Sequence, residues 1–206
     1  MFNTSGMGRR SDHTREELRS MIIEAAQNIV ETEGHQALTA RAVTRKIGYT
    51  VGTLYQVFAS LNDLKMAVTV MTVTRLRAHI VDGTREIADP RARLRQMSHR
   101  YIEFAETHAA LWSLTFEHLS GMGHPPEITR ETGAVFECVG RMLGEIAPGI
   151  PARRIASVAA AFWSAVHGVC HLAMSHKLDL ATQELPVHTL NELIDTLYAG
   201  LDHERT

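Results

Sequence analysis

The segment from Leu38 to Leu64, LTARAVTRKIGYTVGTLYQVFASLNDL, constrains this chain more than any other. Thr39 stands where a helix N-cap belongs, its hydroxyl placed to accept from a backbone N–H in the first turn. Ala42, Val43 and Ile47 follow as an apolar stripe at helical spacing. Gly48 tolerates the left-handed conformation that ends such a helix. Thr50 then caps a second helix in which Val51, Leu54, Val57 and Phe58 face inward while Thr53, Tyr55 and Gln56 face outward. Ser60 and Asp63 resemble a capping box that opens a third helix. Two short helices across a tight glycine turn predict a helix-turn-helix, with an ordinary helical hairpin of a bundle as the plainer alternative.

The flanks narrow the choice. Thr14 to Glu17 reads T-x-x-E, a capping box, and Leu18, Ile22, Ala25 and Ile29 continue one helical face until Gly34. A further long helix is expected from about Ser60 to Gly83. This order resembles the N-terminal domain of the tetracycline-repressor-like (TetR) family of bacterial transcriptional regulators. The matching residues are Leu38, Thr39, Arg41, Gly48, Gly52, Thr53, Leu54, Tyr55 and Phe58, and the resemblance is strong over residues 14 to 66.

The resemblance implies double-stranded operator DNA as a partner, with the second helix in the major groove. Thr50, Thr53, Tyr55 and Gln56 would face that groove, Gln56 being suited to pair bidentately with adenine. Tyr55 and Thr50 would hold phosphates, Arg41 and Lys65 would neutralise backbone charge, and Thr39, Val51 and Gly52 complete the expected DNA surface. Three positions depart from the family pattern. Val57 replaces a frequent His, Leu61 a usual Lys, and Val51 a common basic or Pro residue. Each removes a possible phosphate contact, which lowers affinity and salt dependence rather than sequence choice.

Composition fits this reading without requiring it. The chain has 206 residues, 45% hydrophobic and 21% charged, with a formal net charge of −2. That balance describes an ordinary globular protein and argues against a general nucleic-acid coat. Residues 1–66 are themselves nearly neutral, so a DNA-facing patch must come from arrangement, with Arg9, Arg10, Arg41, Arg45 and Lys46 gathered at one end. Two cysteines, Cys138 and Cys170, are too few for a disulfide scaffold and fit a reducing cytoplasm. No apolar run is expected to approach the roughly 18–20 residues that span a bilayer, so no membrane is implied. Residues 1–13 lack the apolar core of a signal peptide and read as a mobile arm; Arg9 and Arg10 would reach phosphates or stay solvated.

Past Gly83 every segment reads as helix. Asp89-Pro90 begins one, with Leu94, Met97, Tyr101 and Phe104 on a face and Arg91, Arg93, Arg95 and Arg100 on others. His108–Ser120 forms a shorter helix, residues 121–126 a loop, and helices are expected at about 127–147, 153–176 and 187–201. The fold class is therefore all-α, with about nine helices. A three-helix DNA-binding domain at 14–66 precedes a larger ligand-binding and dimerisation domain at 67–206. Ile155 to Ser175 contains no Asp, Glu, Lys or Arg, and a helix apolar on nearly all sides must be buried on nearly all sides. Small residues Ala159, Ala160, Ala161, Ser164 and Gly168 permit close helix approach. The family resemblance implies a homodimer through helices 153–176 and 187–201; the central helix of a monomeric bundle is the alternative. Trp163, His167 and Gly168 match a Trp-x-x-x-His-Gly element of one C-terminal subgroup of the family.

Met97, Tyr101, Phe104, Trp112, Phe116, Trp163 and His167, with Met174 beside them, are candidates to line a pocket for a small apolar or aromatic effector. Tyr101, His118 and His167 would supply its polar groups. Such a stripe is also what plain core looks like. His167 and His171, four apart with Cys170 between, raise the alternative of a metal-sensing regulator. They lack the glutamate of H-E-x-x-H, and no nucleophile elbow, phosphate loop or dinucleotide fingerprint occurs, so neither an enzyme nor a cofactor is implied. The expectation is a cytoplasmic, ligand-responsive regulator, a repressor released from its operator by its effector, with an effector-free DNA-binding dimer as a further alternative.

Overall fold

A computed structural model describes residues 13–119 and 125–203, with the backbone alone for residues 117–119. The proposed basic arm (residues 1–12), the loop residues 120–124 and the side chain of His118 lie outside this description. Among the described residues there are nine α-helices and no strand: α1 Arg15–Glu33, α2 Ala40–Ile47, α3 Val51–Val57, α4 Leu61–Val81, α5 Pro90–Thr107, α6 Ala109–Leu119, α7 Pro126–Ile146, α8 Ala152–Met174 and α9 Pro186–His203. The chain divides into two compact units between Val68 and Thr69, within α4.

In the first unit the local signals act as their chemistry requires. Thr14 Oγ1 accepts from Glu17 N at 3.2 Å, while Thr14 N donates to Glu17 Oε2 at 2.6 Å. This closes the capping box of α1 and satisfies two N–H groups that the helix itself cannot. Hydrogen bonding to Thr14 holds the Glu17 carboxyl below its usual 4.5. Leu18, Ile22, Ala25, Ala26, Ile29 and Val30 form the buried face of α1. Gly48, at φ 75°, ends α2, with its N–H and that of Tyr49 both donating to Thr44 O. Leu54 and Phe58 are the buried anchors of α3, and the Arg19 guanidinium lies 5.4 Å over the Phe58 ring. Asp63 N donates to Ser60 Oγ at 3.1 Å at the start of α4.

The second unit packs α4 from Thr69 onward with α5–α9 around one apolar core that includes Leu76, Leu94, Leu143, Phe162, Leu190 and Ile194. The four arginines of α5 divide their work. Arg93 Nη2 and Arg100 Nη1 donate to the Val81 and His79 carbonyls at 3.4 and 3.2 Å, holding the end of α4. Arg91 and Arg95 instead pair with Asp202 and Asp195 of α9. Tyr198 Oη donates to Arg91 O at 2.6 Å, and the Arg91 guanidinium lies 4.8 Å over the Tyr198 ring. On the other flank of α4, Arg77 bridges Asp82 (3.0 Å) and the buried Glu131 of α7 (2.8 Å).

Two expectations shift. Pro126 is the first residue of α7 rather than part of the loop, because a helix tolerates Pro where the missing N–H has no intrahelical acceptor. The expectation that no segment is long and apolar enough for a membrane is overturned by α8. Its 23 residues include an 18-residue window of mean hydropathy 1.4, of which 33% is buried. A core helix meets the same length and composition criteria, and one face of α8 (Ile155, Val158, Ala159, Phe162, Val166, Cys170) is packed into the unit's core.

Candidate DNA surface and ligand centre

Within the first unit, α2 and α3 present the residues that the sequence singles out. Thr39 and Thr50 are exposed, and each already caps a helix: Thr39 Oγ1 accepts from Ala42 N at 3.1 Å, and Thr50 Oγ1 from Thr53 N at 3.2 Å. The Thr50 and Thr53 hydroxyls also meet at 2.9 Å, so they act as one polar unit at the start of α3. Gly52 is exposed, and a Cβ there would meet Thr50 Oγ1 at an ordinary 3.7 Å. Nothing inside the protein requires glycine at that point, and its effect is to keep the outer face of α3 low.

Tyr55 is 47% exposed, with Gln56 exposed beside it, while Val51 and Thr53 are half-buried. An exposed tyrosine beside a free amide has no packing role and suits recognition outside the protein. Arg41, Arg45 and Lys46 are exposed on α2, and Lys65 is half-buried on α4. Sequence reasoning missed the partner of Tyr49. Its hydroxyl lies 2.8 Å from His13 Nδ1, with the rings edge-on at 6.2 Å, so the residue before the α1 cap is tied to the residue before the α3 cap. No local pattern announces a bond across 36 residues.

In the second unit five of the seven proposed pocket residues meet around His167. Tyr101 Oη and His167 Nδ1 are 2.8 Å apart. Phe116, Trp163 and Trp112 place their ring centroids 4.5, 5.2 and 5.5 Å from the imidazole, and Trp163 lies nearly parallel to it, at 10°. Tyr101 and Trp112 are buried, His167 and Phe116 half-buried, and Trp163 is exposed at the rim, with Phe136 of α7 against it at 5.8 Å. Trp112 Nε1 is buried and makes no well-aligned hydrogen bond among the described residues, the Tyr101 phenol being close enough to feel it.

Burial first, then the neighbouring His171, lowers the His167 pKa from its ordinary 6.5 and keeps the ring neutral. Burial also raises the Tyr101 phenol, which therefore stays a hydrogen-bond donor. A Tyr101 O–H that donates to Nδ1 would place the imidazole proton on Nε2. The centre is thus an aromatic shell around a hydrogen-bonded phenol–imidazole pair, with the Trp112 N–H beside it.

The other two proposed residues stand apart. Met97 is buried on α5 one turn before Tyr101, in the common core. Phe104, one turn after Tyr101, has its ring contacts with His79 (5.9 Å) and His108 (4.8 Å). The metal alternative is not supported by the geometry. His167 and His171 do share a face, with ring centroids 6.3 Å apart, but Cys170 turns into the core at 1% exposure. Burial pushes the Cys170 thiol up to about 12, the opposite of what a thiolate ligand needs. Among the described residues no three His, Cys, Asp or Glu side chains converge as a metal site.

Comparison with known proteins agrees with this architecture. Residues 94–197 match the family model described as the tetracyclin repressor-like C-terminal domain. An uncharacterised HTH-type transcriptional regulator of Mycobacterium tuberculosis is 26% identical over 191 residues, covering 91% of this chain and 83% of that protein. A TetR transcriptional regulator of Streptomyces coelicolor superposes with a TM-score of 0.68 at 19% identity, over 89% of this chain and 96% of that one. The regulator FadR of Bacillus subtilis, solved in complex with stearoyl-CoA, superposes with a TM-score of 0.63 at 14% identity, over 88% and 98% of the two chains. With its C-terminal half matched by the family model and its N-terminal unit folded as a helix-turn-helix, the chain belongs to the tetracycline-repressor-like (TetR) family of transcriptional regulators.

Proposed function

We propose that this regulator is a cytoplasmic homodimer that represses from a specific operator and is released by a small apolar or aromatic effector. The observation that carries the effector is the His167 centre. A buried Trp112 N–H that makes no well-aligned hydrogen bond, beside a Tyr101–His167 pair in an otherwise apolar shell, suits a ligand that offers one acceptor and a large apolar body. The regulator FadR, which shares this fold, was solved in complex with stearoyl-CoA, and that supports a ligand-responsive reading. Effector binding acts through α4, which belongs to both units and so carries any shift of its second half to the DNA-binding head. The effector releases DNA only by favouring the non-binding arrangement. Shifts of a few ångströms suffice, because half-sites repeat about every 34 Å along the duplex.

The dimer rests on α8. From Ile155 to its end it carries no Asp, Glu, Lys or Arg, yet only 33% of its most apolar window is buried in one copy. Ala156, Ala160, Ala161, Trp163, Ser164 and Leu172 are exposed, and a second copy covering α8 and α9 would bury them. In the recognition helix, Gln56 reads a base while Thr50 and Tyr55 hold phosphates.

Three measurements test these statements. Gln56→Ala is expected to cost about 1–3 kcal/mol of operator discrimination, and unaltered sequence preference refutes the assignment. Light scattering should give twice the 22.9 kDa chain mass, and a monomer at micromolar concentration refutes the dimer. The close ring packing around His167, with Phe116 at 4.5 Å, favours a second reading in which the body only dimerises. A screen of aromatic compounds separates the two: a ligand that weakens operator binding in wild type but not in Tyr101→Phe supports the effector. Ligands that bind without altering operator affinity support the second reading.

A further inference from the structure

The two ends of α8 carry complementary features that one copy does not bring together. At its start a groove of about 630 Å³ lies between α7 and α8. Gly140 and Gly144 line it from α7, Ala152, Ala156 and Ala159 from α8, and Phe136 stands among the other lining residues. A Cβ at Gly140 or Gly144 would meet nothing within 4 Å. Glycine weakens a helix interior relative to alanine, and nothing inside this copy needs the space the two glycines leave. The same end is positive: Arg153 and Arg154 open α8, with no acidic residue in its first turn and no side chain capping it. Beyond the other end of α8, in the connection 175–185, Leu178 is buried but Leu180 and Leu185 are 87% and 63% exposed. Asp179 and Glu184, both exposed, outnumber Lys177 in that stretch.

We propose that the groove between α7 and α8 is a socket for a second copy of this chain, filled by Leu180 of the partner subunit. The proposal rests on the homodimer inferred above and adds to it a direction and a plug. The groove and the exposed leucines lie at opposite ends of the 23 residues of α8, a helix about 34 Å long, so the two features of one chain do not meet. A two-fold axis across the middle of α8 sets the start of each helix beside the end of the other, and closes two identical sockets at once. Ala160, Ala161 and Ser164, small and exposed at that middle, let the helices approach. Charge favours the same crossing. Parallel helices set Arg153 and Arg154 against their own copies, whereas antiparallel helices set them beside the net acidic connection. The lining of the groove includes no polar side chain to orient a small molecule, and an apolar side chain of the partner needs none.

Two measurements on the full chain test the socket. Chains carrying Ala152→Cys and chains carrying Leu180→Cys, co-expressed and oxidised with copper–phenanthroline, should give a covalent dimer on a non-reducing gel. Neither variant alone should do so, because a two-fold axis keeps like ends apart. The native Cys138 and Cys170 are both buried and do not compete. In sedimentation velocity, Gly144→Leu, which fills the groove, and Leu180→Ala, which removes the plug, should each raise the dimer Kd about tenfold or more. Leu180 is exposed in one copy, so its variant keeps the test valid even if Gly144→Leu distorts α7, and circular dichroism checks both folds. A wild-type dimer that gives no mixed cross-link, or that is indifferent to Leu180→Ala, overturns the socket and leaves the homodimer standing. A wild-type monomer refutes the homodimer and the socket with it. Cross-linking within either variant alone overturns the antiparallel crossing. A Gly144→Leu chain that dimerises as wild type but no longer responds to an effector assigns the groove to a small molecule, and also overturns the proposal.

Discussion

Replacing Tyr101 by Phe removes one oxygen from the centre of the second unit. The Tyr101 ring is buried, so the variant keeps its packing and opens no cavity larger than a hydroxyl. What disappears is the 2.8 Å bond to His167 Nδ1, leaving that acceptor unpaired on a half-buried ring. Losing a neutral hydrogen bond whose partner is then stranded costs about 1–2 kcal/mol. For a chain of this length that corresponds to a fall of about 2–8 °C in Tm. Thermal denaturation followed by circular dichroism measures it, in a cycle with His167→Gln and the double variant. Additivity within about 0.5 kcal/mol would show that the two groups are not coupled and refute the reasoning.

The same centre predicts a pH dependence. Burial, then His171, lowers the folded His167 pKa below the unfolded 6.5, so on acidification the unfolded chain takes up this proton first. The contribution to stability is complete above the unfolded value. It declines as pH falls below 6.5, and levels off once the folded ring also protonates. The difference between wild type and His167→Gln isolates this component from the other histidines. A wild-type-minus-variant stability that is flat across pH 5–7 contradicts it.

Further predictions concern the anchoring of α4 and the exposed face of α8. A Cβ at Gly83 would fall 2.4 Å from Arg100 Nη1, so Gly83→Ala must displace that guanidinium and its bond to His79 O. We expect a loss of about 1 kcal/mol in chemical denaturation, and a stabilised variant would refute this reading of the glycine. Glu131→Ala strands one side of Arg77, which keeps Asp82, so the cost should be about 2 kcal/mol rather than the full value of a broken buried pair. If Asp82→Asn costs nothing further in the Glu131→Ala background, that sharing of Arg77 is wrong. Ala160→Glu puts a charge on the exposed apolar face of α8 and should convert the dimer to monomer in light scattering, with little change in the helical content of the chain.

Much of the fold was legible because its signals are local. The caps at Thr14, Thr39, Thr50 and Asp89 each work over three residues, and every one accepts the backbone N–H that its position implies. The Gly48 turn and the buried anchors Leu54 and Phe58 follow from the same short-range logic. The aromatic residues that surround His167 were legible as a set, since helical spacing brings Trp163 and His167 onto one face and Trp112 and Phe116 onto another. Which of them meet was not. Phe104 follows Tyr101 by one turn, yet the two rings serve different neighbours, because α5 is flanked by different helices along its length. The arginines of α5 read simply as polar faces, and only packing divides them between the end of α4 and the side of α9.

By itself, then, the sequence determined the helices, their caps and turns, the helix-turn-helix and the family. These depend on contacts three or four residues apart, where residue type alone decides the balance. Tertiary structure decided that His167 sits at the middle of an aromatic shell with Tyr101 as its hydrogen-bond partner, that Cys170 turns into the core, and that His79 and Arg75 face Glu103 and His108 across a cleft. Those pairings join residues distant along the chain, and their chemistry exists only once several helices have packed and excluded water from the groups between them.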